Sequence, residues 1–215
     1  LDAADMRRDG QNYKHFIFSD LKSGLYGAKL IAAAFIADGY HMGYGAKRVK
    51  GRGFEKIKLL SDAELDKTAF NNFYLLSSVA VFDRPIPVAT KKAILQKYNA
   101  RPDNVHGRDV RFIIMDSGFK EGIDLFDVKY IHIFEPQTTA ADQKQVIGRG
   151  TRTCGQKGLV FNPTKGWPLY VFNYDLNIGP KYRQTFYESA TASELYLKSV
   201  GIDFLRRRFL CSLNW

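Results

Sequence analysis

Between Lys144 and Thr153 the chain reads KQVIGRGTRT, with Gln145, Gly148, Arg149 and Arg152 at positions i, i+3, i+4 and i+7. A helical residue turns roughly 100°, so these four are predicted on one helical face. Two guanidiniums on one face suit the oxygens of a nucleoside triphosphate, because each is permanently charged and forks onto paired acceptors. Gly148 and Gly150 each cost about 1 kcal/mol relative to alanine in a helix interior. A helix that keeps both is expected to need a close approach there.

Upstream, FIIMDSGFKEGIDLFDVKYIHIFEP (Phe112–Pro136) reads as a buried strand ending near Met115, then a polar loop, then the next strand. Ligands of open α/β sheets bind beyond the carboxyl ends of strands. Amides around Ser117 and Gly118 could meet a phosphate, and Asp124 could accept from a ribose hydroxyl; a plain turn capped by Asp124 is the alternative.

The elements that must position these residues show as short apolar runs: HFIF (15–18), FYLLSS (73–78), VRFIIM (110–115), KYIHIF (129–134) and LYVFNY (169–174). Continuous rather than alternating hydrophobicity predicts strands buried on both faces of a parallel sheet. Helical patterns lie between them. Ser23 is the expected cap of an alanine-rich helix ending near Gly39, Thr90 that of KKAILQKYN, and Thr138 or Thr139 that of AADQKQVIGRGTR, with Gly155 as its stop. Strands alternating with helices make a doubly wound α/β fold. The basic, glycine-rich stretch from about 43 to 69 reads as an insertion, an exposed loop plus a short helix. The chain opens without Met and runs quickly into a strand, as a piece of a longer polypeptide would.

In order, EGID followed by QVIGRGTR resembles motifs V and VI (QxxGRxxR) of superfamily-two helicases and translocases, and KHFIFSDLKSGLYGAKLIAAAFIADGY resembles motif IV and its helix. The stretch IGRGTRTCGQKGLVFNPTKGWPLYVFNYD resembles, more narrowly, helicase-type early transcription factors and nucleoside triphosphatases of large cytoplasmic DNA viruses of the pox and African swine fever kind. The resemblance implies a RecA-like three-layer α/β sandwich with a mostly parallel central sheet over residues 1–184, and a helical C-terminal extension over 185–215. It implies the second RecA-like lobe of a motor, with ATP carried by a preceding lobe. Arg149 and Arg152 then correspond to the finger and phosphate-contacting arginines, and Gln145, Gly122 and Asp124 to the nucleotide-binding positions. Motif V commonly has a threonine near its start; this chain has Asp116 and Ser117 there, and Ser117 is taken as its counterpart. Ser19, Lys22, Ser117 and Lys120 are the expected nucleic-acid contacts.

The chain contains no Gly-Lys dipeptide, and hence no GxxxxGK[ST] loop, nor any Asp-Glu pair. The expected Mg²⁺ therefore belongs to the preceding lobe, and this chain alone is expected to be inactive. Its 215 residues carry a formal charge of +10, which suits DNA or RNA as partner. No apolar run approaches the roughly 20 residues of a membrane span. Two cysteines, Cys154 and Cys211, fit a reducing compartment, the host cytoplasm or a virion if the protein is viral. The four histidines lack metal-ligand spacing, and His15 and His132 read as core residues satisfied within strands. Trp167 reads as a turn anchor rather than a stacking platform. Partners in viral transcription are a further expectation. The rival reading is a non-catalytic basic α/β module for nucleic-acid binding or assembly.

Overall fold

The computed structural model describes residues 1–22, 26–47, 56–81, 85–119, 122–135, 137 and 139–174. Six strands make the main sheet: β1 (Lys14–Ser19), β2 (His41–Met42), β5 (Asn72–Leu76), β6 (Phe112–Asp116), β7 (Val128–Ile133) and β8 (Tyr170–Asn173). Their order is β2-β5-β6-β1-β7-β8, and every pairing is parallel. All residues of β1, β5, β6 and β7 are buried, which is why these runs lack a polar alternation. All five expected strands are present, but β8 is not buried on both faces as expected: it stands at the sheet edge, with Tyr170 and Asn173 exposed.

Helices cover both faces. On one, α2 (Ala28–Ala37) sets Phe35 edge-on against Phe73 and Phe112. On the other, α4 (Val88–Tyr98) brings Tyr98 under the buried Lys14, whose ammonium donates to the Tyr98 carbonyl at 2.7 Å. The residues that follow α5 (Ala140–Ile147) lie on Ile131 through Gly150. This is a layered α/β arrangement with a parallel central sheet between helices, as expected.

Several expectations change. The N-terminus does not run straight into β1. It forms helix α1 (Asp2–Asp9), with acids in its first turn, arginines in its last and Gly10 in the left-handed region at φ 66°. The helix docks by polar contacts: the buried Asp5 carboxylate accepts from Lys129 Nζ at 2.9 Å and from the Tyr130 hydroxyl at 2.6 Å. A register shift makes this possible, since Lys14 opposes Val128 but His15 opposes Tyr130, leaving Lys129 as the extra residue.

The stretch from 43 to 69 is more ordered than a loop and a helix. Strands β3 (Tyr44–Lys47) and β4 (Lys56–Leu59) pair antiparallel ahead of α3 (Asp62–Asp66). Tyr44 is buried and donates to the Leu75 carbonyl at 2.6 Å. Gly43 permits the approach, because a Cβ there would fall 2.5 Å from the Tyr74 ring.

Helix starts differ as well. α2 begins at Ala28 after Gly27, and α4 begins at Val88 after Pro87, so Thr90 sits in its first turn instead of capping it. Thr139 does cap α5, accepting from the Asp142 N–H at 3.1 Å. Ser23, Thr138 and the extension over 185–215 lie outside the described residues.

Candidate functional site

Motif V begins where β6 ends. The Asp116 carboxylate accepts from the Ser77 hydroxyl and from the N–H groups of Ser78 and Gly118, at 2.7–2.9 Å, and so shapes the turn into a single 3₁₀ turn at Ser117–Phe119. Gly122 then takes a positive φ of 74° in an exposed position, one a side chain rarely adopts. Beyond it Ile123 and Leu125 are buried while Asp124 between them is exposed. Asn99, just past α4, fixes this extended segment. Its amide donates to the Asp124 carbonyl, and its oxygen accepts from the Phe126 N–H, both at 2.8 Å.

Motif VI opens in the last turn of α5, but the helix stops at Ile147, short of the expected Gly155. Tighter turns replace it: the N–H of Arg149 bonds the Val146 carbonyl and that of Gly150 bonds the Ile147 carbonyl. The expectation that Gln145, Gly148, Arg149 and Arg152 share one helical face is therefore corrected. Gln145 is exposed on α5, Gly148 ends the helix, and the two arginines diverge. The close approach at Gly150 is to the Ile131 side chain, 3.1 Å from where a Cβ would stand.

Arg149 is only 5% exposed, and its Nη1 donates to the Ile123 carbonyl at 3.2 Å. Its own carbonyl accepts from the Leu125 N–H at 2.9 Å. Arg149 thus grips motif V on both sides of Asp124, with its side chain and with its main chain. Arg152, with 48% of its side chain exposed, reaches the Asp124 carboxylate at 2.6 Å. The two motifs converge as expected, and one inward and one outward guanidinium result.

Sequence reasoning missed the staples beneath them. Arg101 donates twice to the buried Asp127, at 2.7 and 2.9 Å, and also to the Gly155 carbonyl. The Gln156 amide bonds the carbonyls of Gly150 and Val128 at 2.9 Å each. Neither belongs to a motif, and a polar residue in a loop carries no signal of its burial until the fold encloses it.

Of the expected nucleic-acid contacts, Ser19 and Ser117 stand at the carboxyl ends of β1 and β6, and both bond to the protein itself. Ser19 is fully buried and donates to Glu135 at 2.9 Å; the same carboxylate accepts from the Asp20 N–H at 2.9 Å. Burial pushes the Glu135 pKa up, against the lowering effect of those two bonds. The Ser117 hydroxyl, half-buried, donates to the Asp20 carbonyl at 3.1 Å. Both hydroxyls tie loops together. Lys22 is exposed, and Lys120 lies outside the described residues.

The two strand histidines form a bonded chain. His15 Nδ1 and His132 Nε2 are 2.9 Å apart, His15 Nε2 lies 3.2 Å from Asp2, and the Tyr174 hydroxyl lies 2.9 Å from His132 Nδ1. Proton donation running from Tyr174 through His132 and His15 to Asp2 satisfies every member with both imidazoles neutral. Burial lowers both pKa values, that of His132 to about 4. Among the described residues no group of His, Cys, Asp and Glu is arranged to hold a metal ion, and no helix is long and apolar enough to cross a membrane.

No family model matches the chain. Over 57 residues it is 40% identical to one Acanthamoeba polyphaga mimivirus protein and 36% identical to a second, each named an ATP-dependent RNA helicase. The matched stretch is 26% of this chain but only 7% and 10% of those relatives, so the chain spans a small part of their length. The C-terminal part of the Fun30 ATPase domain matches 75% of this chain and 34% of its own, at 14% identity and a TM-score of 0.44, too loose a likeness to bear on the argument. The resemblance carried by motifs V and VI and this similarity point the same way: over about a quarter of its length the chain is similar to two proteins of a large DNA virus that carry a helicase name.

Proposed function

We propose that this chain is the second motor lobe of an ATP-dependent superfamily-two helicase or translocase, residues 1–184 forming the lobe and 185–215 a helical extension. The observation that carries the proposal is the half-exposed Arg152 guanidinium held beside motif V on Asp124. Such a pair contributes at most about 1 kcal/mol, so Arg152 can leave Asp124 for phosphate oxygens at little cost. The donor set fits a nucleotide presented by a preceding lobe. Arg152 meets the phosphates, Asp124, once released, accepts from a ribose hydroxyl, and the exposed Gly122 and Gln145 border the approach. ATP supplies the transferable phosphoryl group, with its Mg²⁺ held by that preceding lobe. Arg149 is a positioning residue, because its grip on Ile123 and Leu125 sets where Asp124 and Arg152 stand.

Nucleic acid lies against the carboxyl ends of β1 and β6. There Lys22 offers charge, while Ser19 and Ser117 act by stiffening the loops; Lys120, also expected to meet the nucleic acid, lies outside the described residues. Contact through phosphates makes binding sequence-independent and salt-sensitive. The viral resemblance supports a role in transcription, in host cytoplasm or virion, with the transcription apparatus as partner.

The test is Arg152→Ala in the longer protein carrying both lobes. An arginine that stabilises a transferring phosphoryl group is worth about 10³–10⁵ in rate, so kcat should fall by orders of magnitude. Unchanged turnover overturns the assignment. Reading the coding sequence ahead of Leu1 for GxxxxGK[ST] and an acidic metal-binding motif tests the preceding lobe directly.

A further inference from the structure

From Gln143 to Tyr174 the chain carries Lys144, Arg149, Arg152, Lys157 and Lys165, and not one Asp or Glu. Within this stretch a tight turn projects ahead of β8. Its base is an antiparallel bridge: the Asn162 N–H bonds the Gly166 carbonyl, and the Gly166 N–H returns the bond to Asn162 at 2.7 Å. The Asn162 side chain closes the tip by accepting from the N–H groups of Thr164 and Lys165, at 2.9 and 3.0 Å. Flanking the bridge, Phe161 and Trp167 meet as an edge-to-face pair with centroids 4.8 Å apart. Trp167 is anchored, its indole N–H donating to the Leu159 carbonyl at 3.0 Å. Phe161 is propped by that indole yet remains 53% exposed, beside Val160 at 83%.

An aromatic ring held open on a stiff turn, in a segment of uniformly positive charge, matches a ligand that is both polyanionic and π-faced. We propose that Phe161 is a stacking platform for a base of single-stranded nucleic acid, with Lys157 and Lys165 meeting the flanking phosphates. Base–aromatic stacking tolerates any sequence, since every base has a π face. A protein partner would need far more apolar area than Phe161, Val160 and the partly exposed Trp167 and Tyr170 supply. The site is separate from the loops of Ser19 and Ser117. β8 runs parallel to β7, so the turn before Tyr170 stands where β7 begins, about 20 Å away along the strands. The proposal rests on the nucleic-acid side of the function proposed above and adds a second contact to it.

Fluorescence anisotropy of fluorescein-labelled oligo-dT and oligo-U with the 215-residue chain tests it, the two probes separating DNA from RNA. Phe161→Ala should weaken binding by roughly 5- to 150-fold, and Phe161→Trp should retain it. Lys157→Gln and Lys165→Gln should each reduce the salt slope by about one. Circular dichroism and thermal melts should be unchanged, because the ring is exposed. Equal affinity of wild type and Phe161→Ala, or no strand binding by the wild type, overturns the proposal. If Phe161 governs binding while Arg152→Ala leaves ATP turnover intact in the longer protein, the motor reading fails alone.

Discussion

Arg149 and Arg152 stand three residues apart, yet their environments assign them different work. Arg149 is enclosed and donates to the Ile123 carbonyl, whereas Arg152 is half exposed on a carboxylate that can release it. Arg149→Ala should therefore act on the scaffold first. A buried hydrogen bond from a charged donor is worth about 1.5–3 kcal/mol, so chemical denaturation should show a loss of that order. In the longer protein the same change should also raise the KM for ATP, since Asp124 loses its fixed position. A loss of kcat with stability and KM unchanged would show Arg149 touching the phosphates itself, against the buried geometry. Glycine tells a similar story. Gly150 suggested close approach in the sequence, and it does permit one, but to Ile131 in the sheet.

Among the elements, β1 and β7 are joined by more than their ladder, because the His15–His132 contact and its ends on Asp2 and Tyr174 tie them to α1 and β8. Both imidazoles have pKa values lowered by burial, so the unfolded chain takes up protons before the native state does. Stability should be level above about pH 6.5 and fall as the pH drops toward 4, by roughly 1–3 kcal/mol from His132. Urea denaturation across that range checks this. His132→Asn should flatten the slope, and stability that rises on acidification would contradict neutral imidazoles in the fold. α1 is bound in the same polar manner, through Asp5 on Lys129 and Tyr130. Eight largely polar residues gave no periodic apolar signal, so this helix was invisible until its partners were in place.

For the molecule as a whole, the chemistry is divided. Cations gather in motif VI and the turn beyond it, while the chain has no phosphate-binding loop and, among the described residues, no carboxylate group arranged for a metal. The isolated 215 residues should therefore hydrolyse ATP no faster than a buffer control, and phosphate release at enzymatic rates would mean the chain holds a complete site. The four buried strands, the edge strand β8 and the order of motif V before motif VI were legible in the sequence, because continuous apolar runs and fixed motif spacing are local properties of the chain. Where α5 stops, which arginine turns inward, that Ser19 bonds Glu135, and that Phe161 stands more open than Trp167 are long-range outcomes. They depend on which carbonyls, carboxylates and rings the fold brings within about 3–5 Å, and a linear pattern cannot encode that proximity.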